Sequence, residues 1–299
     1  MSLLKRIEKY KLFQKKNKIK YKELTNIKKL RYNTKVAQKS GVKIFVKEIP
    51  IAKKYSITNT KNVYNIPTKY NYGLGSYGIN PFRELKLCQI TTEFVLSNKC
   101  TNFPLLYGYE IIKQNNKFEN PKAKFNKNKY INKMLKDRNN AKYNLILYLE
   151  YFDFSLDYEI IDFLNESSKI LDFLNKNGIL HMDAHDGNIL YDKKSKQFYI
   201  TDFGISVYNK FDLENKDIKF IHKNKNYDKN YLAYTVLYKI IDYYKINEKI
   251  KSFGKQIKYL FTNIYKIVKH KKHKKLIQYL IKNKRNINKI RKIFNIIYF

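Results

Sequence analysis

At 299 residues, 43% of them hydrophobic, the chain is long enough to bury a full core, either as one two-lobed domain or as two small ones. Its formal net charge of +37 is almost all lysine, since only Arg6, Arg31, Arg83, Arg138, Arg285 and Arg291 among the 62 Lys+Arg are arginine. Lysine, asparagine, isoleucine, tyrosine and phenylalanine share A/T-rich codons, so a biased genome accounts for the charge. No specific nucleic-acid partner is read from it, only room for weak peripheral binding to polyanions. Cys88 and Cys100 are too few for a disulfide framework and point to a reducing compartment. No apolar run is long enough for a signal peptide or a transmembrane segment, so a soluble, intracellular protein is expected.

In chain order, residues 1–20 read as a basic amphipathic N-terminal helix or extension. Residues 21–50 read as strands, of which 42–47 alternates apolar and polar positions and ends at Lys47. Gly73-Leu74-Gly75-Ser76-Tyr77-Gly78 fits G-x-G-x-x-G, a pattern that is weak alone. Asn80-Pro81 then opens a helix predicted over 81–97, with proline in its first turn. Glu84 and Glu93 lie nine positions apart on it (93 minus 84), on opposite faces. Residues 113–142 are Lys- and Asn-rich and read as a mobile insertion between strands.

The segment Leu145-Ile146-Leu147-Tyr148-Leu149-Glu150-Tyr151 is an apolar strand ending in an acid. A helix over 160–179 follows, stopped by Asn177-Gly178. Next come His181-Met182-Asp183-Ala184-His185-Asp186-Gly187-Asn188, a short hairpin, and Thr201-Asp202-Phe203-Gly204. The hairpin carries Asn188 and Asp202 back to the same end. Asp228 sits at a helix start, and residues 246–299 read as basic amphipathic helix in which His270 and His273 are solvated. The element order is that of an α+β fold.

H-x-D-x-x-x-x-N followed by D-F-G resembles the catalytic and metal-binding loops of the protein-kinase superfamily. Either triplet alone arises by chance; both, at this separation and in this context, do not. The resemblance implies a bilobal kinase-like fold, with a small mainly-β lobe carrying one key helix (21–149) and a larger mainly-α lobe (150–299). It implies Asp183 as the group that takes the proton of the attacking hydroxyl, with Asn188 and Asp202 as ligands of Mg²⁺ or Mn²⁺. Lys47 holds the ATP phosphates, paired with Glu93, or with Glu84 as the fallback. Backbone groups around Glu150 and Phe152 bind the adenine edge and Leu149 borders its pocket. His181 and Asp228 support the loop. The glycines of 73–78 follow Lys47 instead of preceding it, so they read either as a turn into the helix or as a phosphate cover in a rearranged lobe. In the first reading the covering hairpin falls near 26–35.

The block 80–110, opening Asn-Pro-x-x-Glu-Leu and closing Asn-Phe-Pro-Leu-Leu-Tyr-Gly, resembles the serine/threonine kinases of large DNA viruses, nearest the poxvirus virion-assembly kinases in their insect-poxvirus form. That resemblance implies ATP-dependent phosphorylation of viral structural or assembly proteins, in host cytoplasm and in the virion. Met182 replaces the arginine of H-R-D that receives an activation-loop phosphate. The H-x-D-x-H-x-G-N form is shared with small-molecule phosphotransferases of the aminoglycoside type, the alternative enzyme reading. A catalytically weak pseudokinase scaffold is the third.

Overall fold

The computed structural model describes residues 2–15, 19–30, 33–52, 80–114, 129–211, 213, 215–250, 253–263 and 271–282. It is a mixed α+β fold. Five antiparallel strands, β1 (Thr25–Lys29), β2 (Thr34–Lys39), β3 (Val42–Ile51), β4 (Leu106–Lys113) and β5 (Tyr143–Glu150), form one sheet in the order β1-β2-β3-β5-β4. On β3 the alternation sends Ile44 and Val46 into the core and leaves Phe45 and Lys47 on the other face, which borders a cavity. The strand outruns its expected end at Lys47. Proline cannot donate to a ladder, but β2 stops opposite Lys47, so Pro50 has only β5 to satisfy.

Helix α1 (Leu3–Lys15), expected as an amphipathic helix, buries one face: Arg6 and Phe13 are each 1% exposed. The Phe13 ring lies 5.1 Å from that of Tyr107 on β4, and Gln14 Nε2 donates to the Tyr107 carbonyl at 2.8 Å. Helix α2 (Pro81–Leu96) starts where expected, because Asn80 Oδ1 accepts from Phe82 N at 2.9 Å while Pro81 fills a position needing no donor. The expected mobile insertion over 113–142 holds a helix, α3 (Lys129–Asn139), whose Arg138 is buried. Its Lys, Met, Leu and Arg are good helix formers, a signal that the polar composition hides. Residues 115–128 lie outside the described set.

The second half is mainly helical. Helix α4 (Ile160–Lys176) buries Phe163, Leu164, Ile170, Leu171 and Leu174 along one face, and Gly178, at φ 79°, turns the chain out of it. Two short sheets follow. One pairs β7 (Ile179–Leu180) with β10 (Val207–Tyr208); the other orders β6 (Phe154–Ser155), β8 (Ile189–Asp192) and β9 (Gln197–Ile200) as β6-β8-β9. Helices α5 (Asn215–Lys223) and α6 (Tyr227–Tyr243) come next.

Within the stretch 246–299, expected to be helical, the described residues form α7 (Ile246–Lys249), α8 (Phe253–Thr262) and α9 (Lys271–Lys282), and the extended Ile250 ends α7. His273 is not solvated as expected but half-buried, hydrogen-bonded through Nδ1 to Tyr244 Oη at 3.0 Å. His270 lies outside the described residues. Among the described residues no helix is long and apolar enough to cross a membrane.

Candidate active site

A cavity of about 370 Å³ opens between the five-stranded sheet and the β8–β9 hairpin, with Lys47, Glu84, Leu149, Phe152, Asn188 and Asp202 in its wall. Three elements converge on one ammonium. Lys47 Nζ on β3 lies 2.6 Å from Glu84 Oε1 on α2 and 2.8 Å from Asp202 Oδ1 just after β9. Burial works against the charge on Lys47, but the two carboxylates reverse this and hold its pKa above the usual lysine value. Asp202 loses some solvation, which raises its pKa, yet Lys47 and the Gly204 N–H at 3.2 Å bring it below the usual carboxylate range. Asp202 has φ 61°, a left-handed turn that aims its side chain at the lysine.

The expectation that Glu93 pairs with Lys47 is therefore corrected. Glu93 is exposed, and Glu84, the fallback, is 1% exposed. The helix phase decides it: Glu84 shares its face with Cys88, Thr91 and Val95, all buried. Burial pushes the Glu84 carboxyl up despite Lys47, and Oε2 has no hydrogen-bond partner among the described residues.

The loop after β7 is pinned from below. Asp228, in the first turn of α6, accepts from His181 N through Oδ2 and from Met182 N through Oδ1, both at 2.7 Å. These bonds hold Met182 at φ 68°, where a bulky residue does not sit unaided. Burial raises the Asp228 carboxyl to about 6 even so. His181 Nε2 meets the Thr201 carbonyl at 2.8 Å and Nδ1 accepts from Asp183 N at 3.3 Å, which fixes the Nε2–H tautomer. Burial lowers its pKa to about 4, so the ring is neutral.

Asp183 stands beside the cavity and not in its wall, joined to it by Asn188, whose Nδ2 donates to Asp183 O at 3.0 Å and to Oδ2 at 3.3 Å. Tyr231 Oη approaches Asp183 Oδ1 at 3.5 Å and His185 Nε2 lies 3.8 Å from Oδ2. Burial raises the Asp183 pKa. Gly187 donates its N–H to His185 Nδ1 at 3.0 Å, an approach a Cβ would block, since it would sit 2.8 Å from the ring.

At the far end Leu149, Tyr151 and Phe152 border the cavity. Glu150 also lines the cavity, but its N–H goes to the Leu105 carbonyl at 2.8 Å and its carboxylate to Arg6, a pairing that sequence reasoning missed. The β1–β2 hairpin stands where the covering hairpin was expected and contributes Leu30 and Thr34 to the wall. Gly73–Gly78 lies outside the described residues. Behind the site a row of rings runs from Phe173 on α4 through Phe94 on α2 and Phe103 to Phe203, which packs against His181 at 5.1 Å.

Among the described residues no group of three or more His, Cys, Asp and Glu side chains can hold a metal ion unaided. The donors present suit Mg²⁺ nonetheless, which binds one or two protein oxygens and takes the remainder from phosphates and water. Asn188 uses its amide nitrogen on Asp183, leaving Oδ1, and Asp202 uses Oδ1 on Lys47, leaving Oδ2. The chain matches no family model, and no curated protein matches it significantly.

Proposed function

We propose that this protein is an ATP-dependent serine/threonine protein kinase with a bilobal kinase-like fold. The sheet and α2 form its small lobe, and the chain after β5 forms its large one. The observation that carries this is the Lys47 ammonium held at once by Glu84 and Asp202 in the cavity wall, with the hydrogen-bonded Asn188–Asp183 pair at its edge. Lys47 binds the α and β phosphates, and Glu84 keeps it extended toward them. The sheet side of the cavity, from Leu149 to Phe152, takes the adenine.

Asn188 and Asp202 hold a divalent metal, which when bound neutralises the developing phosphate charge. Asp183 orients the acceptor hydroxyl and takes its proton as the oxygen bonds to the γ-phosphorus. The β–γ bridging oxygen leaves with ADP. His181 and Asp228 hold the loop that aims Asp183. By motif the chain resembles the virion-assembly kinases of poxviruses, which makes viral structural or assembly proteins the proposed substrates and host cytoplasm and virion the proposed locations.

One observation favours a second reading, a small-molecule phosphotransferase: His185, in H-x-D-x-H-x-G-N, lies against Asp183. Incubation with labelled ATP and Mg²⁺ or Mn²⁺, with a generic acceptor protein, an aminoglycoside or no acceptor, separates the readings. Label on serine or threonine of the protein supports the kinase. Label on the aminoglycoside alone supports the second reading, and no transfer despite nucleotide binding leaves a pseudokinase.

A further inference from the structure

We infer that Arg6 of α1 is a positioning residue of the nucleotide site, holding the chain at Glu150 to Phe152 where the adenine is to bind. The inference rests on the kinase reading for the identity of the ligand but on the structure alone for the brace. Arg6 Nε donates to Glu150 Oε1 at 2.9 Å and Nη2 to Glu150 Oε2 at 2.8 Å, the forked geometry only a guanidinium supplies. Two more of its donors go to the carbonyls of Thr101 at 2.6 Å and Phe103 at 2.5 Å, in the loop joining α2 to β4. The guanidinium carbon lies 5.6 Å from the Phe152 ring and 5.1 Å from that of Tyr199 on β9, and these two rings stack at 4.0 Å. Both charged side chains are 1% exposed.

One side chain thus joins α1, the α2–β4 loop, the end of β5 and the strand that delivers Asp202. Beyond Glu150 the backbone leaves the sheet ladder, so Tyr151 and Phe152 lack strand partners to fix them. What sets their direction is the anchoring of Glu150 on one side and the stack of Phe152 on Tyr199 on the other. Arg6 touches both. A cavity wall fixed in advance binds its ligand without first ordering itself, and that ordering is what its loss would add to the cost of binding.

A buried guanidinium also contributes to folding, so removing it alone strands the Glu150 charge. The decisive variant replaces both partners. Arg6→Met/Glu150→Met substitutes an apolar pair of similar volume, which proteins commonly tolerate without loss of stability. It is compared with Arg6→Met and the wild type in three measurements: thermal midpoint, Mg·ADP affinity by calorimetry with KM for ATP and kcat, and amide hydrogen exchange at Tyr151 and Phe152 without nucleotide.

The double variant is expected to stay folded, melting above Arg6→Met, yet bind Mg·ADP about tenfold more weakly than the wild type, with a matching rise in KM, little change in kcat and faster exchange at both amides. A folded double variant with wild-type affinity and exchange would overturn the inference, leaving Arg6 a structural residue only. Should the wild type bind no nucleotide, the kinase reading fails, and the exchange comparison still decides whether Arg6 fixes these two residues.

Discussion

Glu84 Oε1 lies 2.6 Å from Lys47 Nζ, while Glu93, on the opposite face of the same helix, is exposed. Glu84→Gln keeps the volume and removes the charge that holds the lysine, so phosphoryl transfer should fall by roughly 100-fold, the scale of losing one preorganised electrostatic contact. Glu93→Ala should leave the rate near wild type. Steady-state kinetics on the two variants check this, and the reverse pattern would refute the pairing as a functional one.

Asp183 and Asp202 should separate chemistry from binding. Asp183→Asn is expected to cost about 10²–10⁴ in kcat, the usual contribution of a general base, while Mg·ADP still binds. Asp202→Asn should instead weaken metal-dependent nucleotide binding. Burial raises the Asp183 pKa, and a base works only when ionised. The rate should therefore rise with pH through a limb above the ordinary aspartate value, and the limb should vanish in Asp183→Asn.

His181 and Asp228 predict opposite effects of acid on stability. His181 falls from the usual 6.5 to about 4, so the unfolded chain takes up a proton in that window before the native one does, and acidification destabilises. Asp228 rises from 3.8 to about 6, so the native state is protonated first and acidification stabilises. Each effect is on the order of 3 kcal/mol, and they oppose. In Asp228→Asn only the histidine effect remains, so urea midpoints should drop more steeply between pH 6.5 and 4 than in the wild type. Parallel slopes would exclude Asp228 as a proton-linked group.

Activity should not depend on phosphorylation of the segment after Gly204. Met182 is buried and uncharged, and a thioether cannot pair with phosphate. Ser206 is 1% exposed and its Oγ donates to the His181 carbonyl at 2.9 Å, out of reach of a kinase. Ser206→Ala should cost about 1 kcal/mol of stability for the lost bond and little activity. Phosphatase-treated protein should start without a lag; a lag abolished by preincubation with ATP would count against this.

What was legible in the sequence is what depends on near neighbours. The spacing from His181 to Asn188 and the strand–turn–strand before Asp202 fix their own geometry within a few residues, and the Asn80-Pro81 start of α2 did the same. The choice between Glu84 and Glu93 turns on helix rotation. The stripe Glu84, Cys88, Thr91 and Val95 carried that information, but spacing to the next strand does not weigh it.

Arg6 was hidden by distance and by the lysine around it. Its rarity was the clue: Arg6, Arg83 and Arg138, the arginines among the described residues, are all buried, whereas lysine occupies solvated faces.

The separation between Arg6 and Glu150 also sets an order of events during synthesis. The two residues are 144 positions apart. At about 5–20 residues per second, the arginine waits on the order of ten seconds for its carboxylate. Through that interval β1, β2 and β3 can pair as local hairpins, but β5, the strand that joins β3 to β4, has yet to emerge. The Arg6 end of α1 is thus among the last parts of this sheet to be locked, and the Arg6–Glu150 pair marks the completion of the sheet.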